Sequence, residues 1–130
     1  MMRALVLALA LTACVEAPAP IGPIHLSRTH WIIDDADAAP HFPTIDFSDS
    51  RASGFDGCNS WFAAVEQDGE TLRFGHVATT RRACDAESAG AVERRFLAML
   101  NTTRYAHYDQ DTLVLLDAEQ RQLGRFSADR

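Results

Sequence analysis

Three cysteines, at positions 14, 58 and 84, and five histidines are the side chains with which this chain of 130 residues could do thiolate, imidazole or metal chemistry. A catalytic cysteine needs a thiolate with a base in reach. The histidine nearest in sequence to either later cysteine is His76, eight residues before Cys84, and nothing frames the two as a nucleophile and its base. A zinc site from Cys58, Cys84 and His76 has no clear fourth ligand and lacks the short Cys-x-x-Cys spacing. Asp34, Asp35 and Asp37 make half of a calcium loop, without its central glycine and terminal glutamate, and read as a solvated acidic loop. His25, His30 and His41 fall in or beside loops, and Glu93 beside Arg94 and Arg95 reads as a surface charge. No Gly-x-Ser-x-Gly frames a serine, and no glycine loop offers to cradle a phosphate. The expectation is a protein that is not an enzyme, with no cofactor and no metal.

Cys14 has a different setting. The opening "MMRALVLALALTAC" places one arginine, a short apolar run and small residues before it, the layout of a secretory leader. The run is too short to span a bilayer as a stable helix. Leu11-Thr12-Ala13-Cys14 resembles a bacterial lipobox, which implies cleavage before Cys14 and acylation of its sulfur and amine. Two or more acyl chains anchor a protein stably. In such lipoproteins an aspartate after the cysteine signals inner-membrane retention; Val15 stands here, so the expected place is the outer membrane, facing the periplasm. Residues 1–13 are then signal peptide. Residues 14–27, with prolines at 18, 20 and 23, form a lipidated Pro/Ala-rich linker, and 28–130 form one folded domain.

Charge narrows the partners. The formal net charge is −6, with twelve arginines and no lysine. An acidic domain without a basic stripe repels phosphate backbones, so no nucleic acid is expected. The expected partners are the membrane, through the lipid, and an apolar ligand or an envelope protein.

The elements that must position Cys58 and Cys84 follow from periodicity. "THWII" (29–33) reads as a strand, and "TIDFS" (44–48) alternates Ile45 and Phe47 inward against polar neighbours. A turn and third strand follow in "DSRASG" (49–54). "WFAAVEQDGETLRFG" (61–75) reads as a hairpin about Asp68-Gly69, and "HVATT" (76–80) extends that sheet or starts another strand. Between Glu87 and about Asn101, Val92, Phe96, Met99 and Leu100 share one helical face, with Asp85 or Ser88 as cap. Strands return at 103–109, 112–117 and 122–127. The fold class is mainly β (α+β): an antiparallel sheet curled into a partial barrel with one packed α-helix. Trp31, Ile45, Phe47, Phe74, Val92, Phe96, Leu113 and Leu115 are its expected core.

"SGFDGCNSWF" (53–62) aims Cys58 from a tight turn. Gly54 and Gly57 permit backbone angles closed to other residues, and Asn59 can bond nearby backbone. In an exported chain, two cysteines outside the leader read as a disulfide, with free buried thiols the alternative.

The domain resembles the META/HslJ-like family of small bacterial envelope proteins. The resemblance rests on Ser53-Gly54, the Gly57-Cys58-Asn59 turn, the aromatics Trp61 and Phe62, and the run Thr79-Thr80-Arg81-Arg82-Ala83-Cys84. It continues in Glu93, Phe96 and Leu97 on the helix, Trp31 and Ile33 at the start, and Leu113, Leu115, Asp117, Leu123 and Phe126 at the end. Ala63 and Arg82 depart from a frequent glycine and methionine. The resemblance implies the Cys58–Cys84 pairing and a non-enzymatic envelope role in integrity or stress tolerance. Two readings of the aromatics stay open: they simply fill the core, or the helix closes the sheet incompletely and leaves an apolar ligand slot that Trp61 and Phe62 help to line. The competing function is a periplasmic protease inhibitor or lipocalin-like binding module, which also pairs an early Trp with a disulfide and a barrel. Slowing of periplasmic proteases by the purified protein discriminates the two.

Overall fold

The computed structural model describes residues 24–128. The leader, Cys14 and residues 14–23 of the expected linker lie outside the described residues. The elements run β1 (Thr29–Ile33), a 3-10 turn (Ala36–Ala38), β2 (Thr44–Phe47), β3 (Arg51–Phe55), β4 (Ser60–Asp68), β5 (Thr71–Phe74) and β6 (Ala78–Thr79). Then come α1 (Glu87–Thr102), β7 (Tyr105–Asp109), β8 (Thr112–Leu116) and β9 (Gln122–Ala128).

The strands form one antiparallel sheet in the order β3-β2-β1-β9-β8-β7-β5-β4-β6. It curls until β3 also pairs with β4, in the register Ala52↔Ala63 and Gly54↔Trp61. The curled sheet expected from the alternating pattern is therefore present, and its ring is uneven. β5 and β7 meet at a single bridge, Thr71↔Tyr105, helped by two backbone bonds: Leu72 N–H to Arg104 O and Ala106 N–H to Glu70 O. β6 pairs only with β4.

Period-2 alternation decides what each strand faces. In β2, Ile45 and Phe47 are buried while Asp46 is exposed; in β4, Trp61 and Ala63 are buried while Phe62 and Ala64 are exposed. All eight expected core residues are buried in one cluster. Trp61 is its centre, edge-on to Phe74 at 6.0 Å and to Phe96 at 5.7 Å, with Phe96 in turn edge-on to Phe126 at 6.4 Å. Aromatic edge contacts add about 0.5–1.5 kcal/mol each beyond the area they bury.

Opposite ends of the ring are closed differently. β1 ends, β2 begins, β5 ends and β7 begins at one mouth, and α1 crosses there, burying Ala89, Val92, Phe96 and Leu100. At the other mouth stands the segment before β1. Ile24 and Leu26 are buried in the core, the Gln67 amide donates to Ile24 O at 2.7 Å, and the Tyr108 hydroxyl donates to His25 O at 2.8 Å. Burial holds the Tyr108 hydroxyl above the usual phenol pKa. Residues 24–27, which carry the composition of a linker because prolines stand upstream, thus pack with the domain, their two apolar side chains filling the barrel end.

A correction concerns α1. Neither Asp85 nor Ser88 caps it; Ala86 is the cap residue, extended and without a side-chain bond. A covalent tie at Cys84, two residues upstream, holds the entry to this helix instead.

Candidate functional site

The turn between β3 and β4 is built on Asp56. Its Oδ1 accepts from the backbone N–H of Cys58 at 2.9 Å and of Asn59 at 2.6 Å, and the residue is fully buried. Oδ2 has no partner among the described residues. Gly57, at φ +109°, completes the turn, and a Cβ placed there would stand 2.7 Å from Val92 Cγ1. Gly54 answers to close approach: its Cβ would lie 2.3 Å from Thr44 O, the same oxygen that accepts the Trp61 indole N–H at 3.1 Å. The glycines let the turn pack directly on β2 and α1.

Cys58 and Cys84 form a disulfide, with Cα atoms 5.4 Å apart. Of the two resemblance blocks, Cys58 and Asn59 meet Thr80, Arg82 and Cys84. Asn59 Oδ1 accepts from Thr80 Oγ1 at 3.0 Å and from Arg82 N–H at 2.9 Å, while its Nδ2 donates to Arg82 O at 3.1 Å and to Glu93 Oε1 at 3.3 Å. One buried amide thus engages both backbone groups of Arg82 and ties the loop before α1 to α1 itself. Thr79 lies opposite Trp61 on β6, whereas Ser53 and Ala83 point to solvent.

Glu93 matches the family pattern, but its contacts are not legible in the sequence. It was expected as a surface charge, but it is half-buried, bonded to Asn59, and its Oε2 lies 3.4 Å from Cys84 Sγ. Cys58, Cys84 and Glu93 form the one group of three or more His, Cys, Asp and Glu side chains with metal-ligand proximity among the described residues, and His76 is not in it. Asp35, from the acidic loop, accepts from Asp37 N–H and so caps the 3-10 turn.

Trp61 and Phe62 do not line one slot. Neighbours on a strand point to opposite faces. Trp61 is 1% exposed inside the ring, and Phe62 is 49% exposed outside it, beneath the Arg51 guanidinium at 5.7 Å. The apolar groove lies elsewhere, between α1 and the mouth of the ring. Its volume is about 460 Å³, its floor is Ile33, Val92, Phe96, Met99 and Leu123, and Asp35 and Arg95 stand among its lining. Arg95 donates to Asp37 O at 3.4 Å and makes no ion pair among the described residues.

The META domain family model matches residues 24–130, from the first plugging residue to the C-terminus, and the chain belongs to that family. Among curated proteins none matches it in sequence. Solved structures share the fold. An NMR structure of a protein from Burkholderia xenovorans has a TM-score of 0.68 at 22% identity, covering 95% of this chain and 99% of that one. The crystal structure of a DUF4847 family protein from Bacteroides vulgatus has a TM-score of 0.60 at 15% identity, covering 78% and 93%.

Proposed function

We propose that this META domain protein is a non-enzymatic lipoprotein of the outer membrane, facing the periplasm, that holds the acyl chain of an anionic amphiphile in the groove beside α1. The observation that carries the ligand reading is the groove itself: an apolar floor whose charged lining is Asp35, which caps the 3-10 turn, and the Arg95 guanidinium, which makes no ion pair with a carboxylate among the described residues. Its 460 Å³ falls within the roughly 300–1,000 Å³ of small-molecule sites. An acyl chain would lie on Val92, Phe96 and Met99 and its carboxylate would reach Arg95, a charge-assisted contact. The lipobox-like Leu11-Thr12-Ala13-Cys14 supports the anchor, and the cellular role we infer is support of envelope integrity under stress.

Two measurements test this. The protein is titrated with palmitate and with hexadecanol, followed by native mass spectrometry. Saturable palmitate binding, weakened at least tenfold by Arg95→Glu and abolished by Ala98→Trp, which fills the groove from an exposed helix position, is the expected result. Equal binding by wild type and Ala98→Trp overturns the site. For the anchor, wild-type protein should sediment with outer membranes, and Cys14→Ser should be released or left unprocessed. Soluble wild-type protein with an unmodified N-terminus overturns that part.

A further inference from the structure

The Cys58–Cys84 bond ends against a carboxylate, which a structural staple does not require. Glu93 Oε2 lies 3.4 Å from Cys84 Sγ, and the three side chains offer ligand atoms all within 4.8 Å of one another. We propose that reduction of this bond converts the staple into a site for a thiophilic divalent cation of the zinc type, with Cys58, Cys84 and Glu93 as ligands and water as the fourth.

The distances suit such an ion. Tetrahedral zinc at ~2.3 Å from sulfur and ~2.0 Å from a carboxylate oxygen places the two ligand atoms ~3.5 Å apart. Cys84 Sγ and Glu93 Oε2 already stand at nearly that separation. The sulfurs need only part from bonding contact to ~3.8 Å, the tetrahedral edge for two thiolates. Rotation about the cysteine side chains serves for this, because the backbone on both sides is held: Asp56 fixes the Cys58 turn, and Asn59 grips Arg82 two residues before Cys84.

The outer shell is also in place. Ligating carboxylates are oriented by a second hydrogen bond, and here Asn59 Nδ2 donates to Glu93 Oε1, leaving Oε2 toward the sulfurs. Access exists too. Cys84 is half-buried, and both cysteines stand in the lining of a surface pocket of about 120 Å³, with Gly57 and Ala83. The chemistry balances with a dithiol reductant. Its two thiols pass two electrons and two protons to the protein disulfide, giving two cysteine thiols and the reductant's own disulfide. The cation then displaces both thiol protons to solvent. A small-molecule disulfide reverses the step: by thiol–disulfide exchange it takes two electrons from the two thiolates and two protons from solvent, leaves as two thiols, and the re-formed staple releases the cation, so occupancy reports the local thiol–disulfide balance.

The test uses the full chain carrying Cys14→Ser, so that only two thiols are present. It is reduced with a phosphine under nitrogen and titrated with Co²⁺, whose thiolate charge-transfer and tetrahedral d–d absorption report the ligands. The expected result is one equivalent bound with both signatures, displaced by Zn²⁺, absent from the oxidised protein, and weakened at least tenfold in Glu93→Gln. A reduced protein without the charge-transfer band overturns the proposal. So does unchanged affinity in Glu93→Gln, and so does binding that persists in 8 M urea, which would mark two thiols on an unfolded chain rather than a site. Circular dichroism of the reduced, metal-free protein and of Glu93→Gln establishes that the fold is kept in both.

Discussion

Gly57 and Val92 touch where the β3–β4 turn meets α1, so closely that a Cβ on the glycine would stand 2.7 Å from Val92 Cγ1. This contact explains the glycine twice, through φ of +109° and through space. Gly57→Ala should therefore destabilise the protein by about 2–4 kcal/mol, combining backbone strain with overpacking. Val92→Ala removes the steric part alone. In a double-mutant cycle followed by urea unfolding, the two changes together should cost less than their sum.

The disulfide joins cysteines 26 positions apart in sequence. On the loop-entropy account it stabilises by roughly 3 kcal/mol, so Cys58→Ala or Cys84→Ala should lower the melting temperature by on the order of 10 °C. Alkylation of wild-type protein should require a reductant. Free labelling of both thiols in the native protein would contradict the bond.

Asp56 and Asn should be nearly interchangeable, and Asp56 and Ala should not. Oδ1 is the acceptor of two buried N–H groups, while Oδ2 has no partner among the described residues. Asp56→Asn keeps the first and should stay within about 1 kcal/mol of wild type. Asp56→Ala orphans both donors and should cost roughly 2–4 kcal/mol. Urea midpoints of the two variants decide it.

Asp117 makes the acid limb of stability predictable. The backbone N–H of Arg121, with its guanidinium and the N–H of Glu119, holds this carboxyl below the usual aspartate pKa, against the opposing effect of burial. A depressed folded-state pKa contributes stability that is present above the unfolded value, about 3.9, and lost as pH falls through the folded value. The stability gap between wild type and Asp117→Asn should thus be full at neutral pH and narrow on acidification below about pH 4. A gap that stays constant to pH 2 would show that the carboxylate charge contributes nothing.

Much of this architecture was legible before any coordinates. Alternation placed Ile45, Phe47 and Phe74, and helical spacing placed Val92 and Phe96, because burial on one face leaves a periodic trace. The same alternation, applied to "WF", separates Trp61 from Phe62. Trp61→Ala should accordingly cost about 3–5 kcal/mol, and Phe62→Ala about 1 kcal/mol or less, by thermal unfolding. What left no trace lies in contacts between distant residues. Asn59 and Glu93 are 34 positions apart, so Glu93 looked like any helix-surface acid. Ile24 and Leu26 plug the ring from a stretch too short to show a period and flanked by proline. The groove beside α1 is a gap between elements, and no residue type announces a gap.

The pairing of β1 with β9, through Trp31↔Ala128 and Ile33↔Phe126, sets an order in time. A chain threaded from its N-terminus delivers β1 first and β9 last, so β1 waits nearly a hundred residues for its second neighbour. Pairings this remote in sequence close slowly, on millisecond to second scales. The ring cannot complete until β9 is present, because β9 is what joins β1 to β8. Once β9 pairs, the strand made last locks the strand made first, so a single late step both joins the two ends of the domain and finishes its ring.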